Sequence, residues 1–125
     1  MGSVVTEVEL SNPREPRQQP VVVNARADTG SMMLCVPDGV AQQLGVELES
    51  MRNVEVADGR RASVPYVGPV QVRFGNRTCF VGALVMGNEV RLGAVPMEDM
   101  DLVVNPKLGT VTVNPASPDA PLYRA

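Results

Sequence analysis

The sequence predicts an all-β barrel or sandwich with one short helix. Three observations carry that prediction. Apolar stretches are of strand length, Gly, Pro and Asn turns punctuate them throughout, and only one stretch has helical spacing with suitable ends. The chain has 125 residues, enough for one domain with its own core. Hydrophobic residues make up 44%, which places it among globular rather than disordered chains.

Residues 4–10 alternate apolar and polar, as a half-buried strand does. Residues 12–20 hold three Pro and several charges and read as an exposed loop. A second strand, 21–27, runs straight into Asp28-Thr29-Gly30-Ser31, and the apolar run 32–36 reads as a buried strand. Residues 37–44 are the helix. Pro37 suits its first turn, Asp38 the positive end of its dipole, and Gly45 its stop. Residues 54–57 and 60–67 flank Asp58-Gly59, a strong hairpin signal because both turn residues tolerate positive φ. Residues 70–74 and 78–85 flank Gly75-Asn76 as a second hairpin. A short strand at 90–93, a helical turn at 96–101, and strands at 102–104 and 110–113 follow. From residue 115 the Pro-rich tail either frays or packs extended, which leaves 1–114 as the domain and 115–125 as the tail.

Composition excludes several functions. Aromatics are only 3% and the net charge is −3, so neither base stacking nor phosphate attraction supports nucleic-acid binding. The chain has no His, which removes Ser–His and Cys–His nucleophile pairs and the commonest metal ligand. Cys35 and Cys79 cannot form a zinc site alone and read as buried, reduced thiols. No metal or other cofactor is expected. Without a secretory leader or an apolar span, the expectation is a soluble, cytoplasmic protein with no membrane partner. The start Met1-Gly2-Ser3-Val4-Val5-Thr6 fits the myristoylation pattern, but nothing basic follows closely, and a chance match is the preferred reading. Asn76-Arg77-Thr78 matches a glycosylation sequon and reads as a turn.

Asp28-Thr29-Gly30 is the string that bears on chemistry. It puts a carboxylate at the end of an apolar strand, on a tight loop that Gly30 allows to turn sharply. Ser31 can donate to the outer carboxylate oxygen, and the Thr29 hydroxyl can bond across to a partner loop. Taken alone, the tripeptide reads better as a simple turn than as a catalytic motif.

Its context resembles the retroviral-type aspartic proteases. The order is an apolar strand, Asp28-Thr29-Gly30-Ser31, an apolar strand, a helix ending at Leu44-Gly45, two hairpins, then Leu92-Gly93 before a helical turn. It is similar to the retroviral enzymes, to the retroviral-like domain of the DNA-damage-inducible proteins, and most of all to a small bacterial group of the same clan. The likeness spans roughly residues 4–114. It implies a closed retropepsin-like barrel contributing half of a two-fold active site. Asp28 would be the catalytic aspartate, Thr29 would lock the two active loops together, and Gly30 would hold the loop's backbone. Ser31, with Asp58, Gly59 and Arg60 of a flap, would meet the substrate. Leu92-Gly93 would thread behind the loop. The charged flap tip departs from the glycine-rich tip of many retroviral enzymes, and the resemblance alone implies an apolar preference in the substrate.

The chemistry so implied needs two carboxylates. Held about 3 Å apart they share one proton, one member activating water while the other donates to the scissile carbonyl. The chain has one such tripeptide, so the second Asp28 comes from a second copy across a two-fold axis. Glu98, Asp99 and Asp101 read as a solvated acidic turn, Asp58 as turn chemistry, and Arg60-Arg61 as a solvated face. Residues 4–10 and 110–113 are the candidate strands for the dimer. Val, Leu and Met do the packing. Met32, Met33, Met86, Met97 and Met100 read mainly as core filler, with one or two lining a substrate pocket. The leading reading is a homodimeric aspartic endopeptidase acting on peptides or proteins. The alternative is a catalytically silent module of the same fold that binds or dimerises. A third is an unrelated β-barrel in which Asp28 only turns the chain.

Overall fold

The computed structural model describes residues 3–125, so the Met1-Gly2 start of the myristoylation pattern lies outside the described residues. Nine strands and two short helices follow along the described residues: β1 (Ser3–Ser11), β2 (Val21–Asp28), β3 (Leu34–Val36), α1 (Asp38–Leu44), β4 (Glu47–Glu55), β5 (Arg61–Phe74), β6 (Arg77–Val85), β7 (Val90–Leu92), α2 (Ala94–Asp99), β8 (Leu102–Asn105) and β9 (Thr110–Val113). The strand order is β1-β2-β7-β3-β6-β5-β4, and β1 also pairs with β5. Six strands therefore close into a barrel, while β4 hangs from β5 at its edge. β8 and β9 form a separate two-stranded sheet. No helix among the described residues is long and apolar enough to cross a membrane.

The core lies inside the barrel. Val8 and Leu10 of β1, Ala25 and Ala27 of β2, Leu34 and Val36 of β3, and Val90 and Leu92 of β7 point into it. Met97 and Met100 close it from the α2 side. No aromatic residue is buried among the described residues, so aliphatic and thioether packing builds the core. Both cysteines are buried and free, and burial pushes the Cys79 thiol up to about 12. Met32 departs from its reading as filler, for it stands 68% exposed.

Three local differences from the sequence reading have clear causes. β4 begins at Glu47, well before residue 54, and its residues are mostly exposed on both faces. An edge strand wet on both sides shows no alternation to read. β5 runs unbroken through Gly68-Pro69, where a register shift between Val67 and Val70 carries it past the expected break. β3 starts only at Leu34, because the Ser31 and Met32 carbonyls accept from Ala94 and Val95 N–H (2.8 Å each) instead of joining a ladder. Those bonds also explain why α2 begins two residues before the expected turn. They satisfy the donors that a helix start leaves orphaned.

α1 follows its sequence signals within one residue. Pro37 is the cap, and Gly45, at φ 66, returns its N–H to the Ala41 and Gln42 carbonyls. A further cap comes from outside the helix. The Asn12 side chain is buried and donates to the Leu44 carbonyl at 3.1 Å. The loop that follows β1 is thereby tied to the end of α1.

The tail folds back through turns and bends over residues 115–120. Asp101 anchors it. Its Oδ2 accepts from the Ser117 hydroxyl at 2.7 Å and from the Leu122 N–H at 3.0 Å. Its Oδ1 accepts from the Asn114 amide at 3.1 Å. The fully buried Arg77 donates to the Ser117 carbonyl, and Asn76 Nδ2 donates to the Pro118 carbonyl at 3.0 Å. Asp101 is therefore committed, unlike a solvated member of an acidic turn. The Ser117 hydroxyl, then the Leu122 N–H and the Asn114 amide, hold its carboxyl below the usual range. A folded-state value depressed in this way adds stability above the unfolded value of about 3.9 and loses it as pH falls. Melting temperature followed from neutral pH into acid should drop below about pH 4, with a shallower acid limb in Asp101→Asn. Superimposable acid limbs would mean that Asp101 does not hold the tail.

Candidate active site

The Asp28 loop is built by alternation. Along β2, Ala25 and Ala27 face the core, so Arg26 and Asp28 face outward. At the strand end the chain turns within four residues, and the Ser31 N–H donates to the Asp28 carbonyl at 3.1 Å. The Asp28 carboxylate is fixed by its own turn. Its Oδ1 accepts from the Gly30 N–H at 2.9 Å, an arrangement typical of Asp in turns. A Cβ on residue 30 would stand 3.3 Å from that oxygen, so Gly leaves room for the bond. Asp28 is half-buried, and Thr29 and Gly30 are exposed.

The loop is clamped from behind. β7 runs parallel to β2, with Ala27 opposite Leu92, which brings Gly93 directly under the loop. A Cβ on Gly93 would stand 2.5 Å from the Met32 carbonyl carbon and 2.5 Å from the Met33 oxygen. Only a residue without a side chain fits there. The two N–H bonds at the start of α2 then fasten the Ser31 and Met32 carbonyls. Asp28 thus stands at the rim of a loop packed from behind, half-buried itself beside the exposed Thr29 and Gly30.

No protein-family model and no curated protein matches the chain. Solved structures do. The retroviral protease-like domain of Ddi1 from Leishmania major superimposes with a TM-score of 0.56 over 90% of each chain, at 16% identity. The protein Lpg0085 (DUF785) of unknown function from Legionella pneumophila gives a TM-score of 0.50 at 13% identity, covering 83% of this chain and 91% of its own. The fold is retropepsin-like. The Simian Foamy Virus (mac) protease is also similar, with a TM-score of 0.46 and 14% identity over 74% of this chain and 91% of its own.

Within this retropepsin-like fold the expected site residues fall into two groups. Asp28, Thr29, Gly30 and Ser31 share one turn. The bond to the carboxylate comes from the Gly30 N–H, whereas Ser31 contributes its main chain. Asp58, Gly59 and Arg60 form the tip of the β4–β5 hairpin, closed by Val56 N–H donating to the Arg60 carbonyl at 2.9 Å. Gly59 sits at φ 86, which L side chains rarely adopt. The Asp58 carboxylate is spent within the tip, accepting from Arg60 N–H at 3.0 Å and Arg60 Nε at 2.6 Å. Below it Arg61 pairs with Glu55 at 3.3 Å. Among the described residues, no hydrogen bond or ion pair joins this tip to the Asp28 loop. At the hairpin's base Arg52 lies 4.0 Å over the Tyr66 ring, which occupies the space that a side chain on Gly82 would need.

Among the described residues, no hydrogen bond joins another carboxylate to the Asp28 loop. Asp101 is held by the tail, and the Tyr123 hydroxyl donates to the Asp99 main-chain carbonyl and lies 3.4 Å from Asp99 Oδ1. No three His, Cys, Asp or Glu side chains among the described residues cluster as metal ligands would. Two features escaped sequence reading. One is the clamp on the loop by the α2 N–H groups. The other is the pair of arginines, Arg26 and Arg91, joined through Glu89 next to Asp28.

Proposed function

We propose that the chain is one subunit of a homodimeric aspartic endopeptidase, with Asp28 of each subunit forming a shared dyad. The observation that carries the reading is the Asp28 carboxylate itself. It is held by the Gly30 N–H on an outward turn whose back is closed by Gly93 and α2. A general acid–base pair needs this combination of fixed geometry and open approach. Thr29, exposed at the same turn, is placed to bond its counterpart across the two-fold axis, and Gly30 keeps the loop's backbone tight. The β4–β5 hairpin with Asp58, Gly59 and Arg60 is the flap. For the dimer, β9 pairs among the described residues only with β8 and lies outside the barrel sheet, so it retains an edge. Val103 and Leu108 stand exposed on that unit, as an interface would require.

The ionic closure of the flap tip favours a second reading, a retropepsin-fold module that binds or dimerises without turnover. A tip whose polar groups are already paired offers fewer of them to a substrate backbone. Solution mass combined with cleavage of a mixed peptide library at acidic to neutral pH separates the two. The endopeptidase is expected to be a dimer that cleaves and that a statine-type hydroxyl, taking the place of the attacking water, inhibits. A dimer that never cleaves supports the silent module. A monomer at micromolar concentration would overturn the shared dyad.

A further inference from the structure

Arg26, Asp28 and Arg91 share one outer face of the barrel, with the buried Cys35 next to Arg91. On β7, Val90 and Leu92 are buried while Arg91 is exposed. The parallel register sets Arg91 beside Arg26, and the antiparallel contact with β3 sets it beside Cys35. Partners in register put their side chains on the same face. Glu89, in the turn before β7, joins the arginines. Its Oε2 takes the Arg26 Nε at 3.1 Å and lies 3.7 Å from the Arg91 Nε. The first is a hydrogen bond. The second is an ion pair without one, and the Arg91 side chain is 49% exposed, so its donors face outward.

The cluster is close to the proposed chemistry. Arg26 is two residues before Asp28 on the same side of β2, a rise of about 7 Å, and β7 lies about 4.8 Å away. The Asp28 charge contributes to holding the Arg26 guanidinium more firmly protonated, after the larger effect of Glu89. On the endopeptidase reading, a peptide that presents its scissile carbonyl to Asp28 would bring its flanking side chains within reach of this face. An apolar side chain there would strip water from the exposed Arg91 guanidinium and return no hydrogen bonds. A carboxylate would replace that water with charge-assisted bonds, and the fork of Arg91 suits two of its oxygens. Glu89 keeps both arginines aimed at the face.

Resting on the endopeptidase reading, we infer that Arg26, Glu89 and Arg91 form a substrate subsite that selects Asp or Glu beside the scissile bond. The two-fold axis repeats the cluster, so the preference applies on both sides of the bond. This departs from the apolar preference that the family resemblance implied.

The test starts from the best-cleaved library sequence, remade with Glu, Gln, Leu or Lys before the scissile bond. Wild type is expected to cleave the Glu peptide about tenfold better than the Gln peptide in kcat/KM at low salt. That ratio should shrink as ionic strength rises. Arg91→Gln should bring it close to one, and Arg91→Glu should turn the preference toward Lys. Arg26→Gln, scored by the same ratio, gives a second reading if an Arg91 variant fails to fold. Preference for Leu, or a Glu-to-Gln ratio indifferent to both arginines, overturns the subsite and leaves the endopeptidase standing. A wild-type dimer that cleaves no peptide in the library overturns both.

Discussion

Asp28→Asn is expected to abolish peptide cleavage and leave the dimer intact. Asn has the same shape, and its Oδ1 still accepts the Gly30 N–H, so the turn that holds residue 28 survives. If the proposed dyad holds, what disappears is the proton shared between two carboxylates. Asn cannot take a proton from water, nor pass one to the scissile carbonyl. Loss of general acid–base catalysis costs about 10²- to 10⁴-fold, and both members of the pair are lost together, so residual kcat should fall by about 10⁴ or more. Mixed dimers sharpen the test. If each subunit supplies one carboxylate, an equal mixture of wild type and variant that exchanges subunits freely retains about a quarter of the activity, because only wild-type pairs work. Half of the activity would mean that each chain acts by itself, and the shared dyad would be wrong. Unchanged turnover in the pure variant would remove Asp28 from the chemistry altogether.

What the sequence made legible follows from where each signal is stored. Strands facing the core carry it locally. Val21, Val23, Ala25 and Ala27, the run into Val36 and the pair Val90 and Leu92 are apolar because they face the barrel interior. The turn at Asp28-Thr29-Gly30 is also local, as are the Asp58-Gly59 tip and the Gly45 stop of α1. β4 before residue 54 left no trace because an edge strand exposed on both faces needs no apolar period. The early start of α2 is set by carbonyls more than 60 residues away in sequence, at Ser31 and Met32. Arg26 and Glu89 are 63 positions apart and meet only through the parallel register of β2 and β7. The same holds for Asp101. As one acid among several near α2 it reads as solvated, and only the returning tail shows it engaged by Ser117 and Leu122. The position of the candidate site was therefore readable, while its support and its charge environment required the fold.

Gly93 gives the second large effect, and it separates space from backbone freedom. Its φ of −84 is open to any residue, so conformation is not what demands glycine there. The demand is steric. In Gly93→Ala the new carbon would approach the Met32 carbonyl carbon and Met33 oxygen to 2.5 Å, and the Met32 oxygen to 2.7 Å. All three atoms are backbone, so no side chain can swing away. Either the Asp28 loop or α2 must move, which strains the 2.8 Å bonds that join them. Overpacking a core usually costs about 1 to 3 kcal/mol, and strained hydrogen bonds add to that. A loss of about 3 kcal/mol or more is expected, lowering Tm by roughly 10 °C or more. Any folded remainder should cleave poorly, because a loop shifted by about 1 Å misplaces the carboxylate. Gly39→Ala is the control. Gly39 lies inside α1, and nothing stands within 4 Å of the place its methyl group would take. Alanine there should stabilise by about 0.5 to 1 kcal/mol. Calorimetry of the two variants reads the difference directly. If Gly93→Ala melts with wild type, the loop is not clamped by close approach, and its rigidity must be sought in the two hydrogen bonds alone.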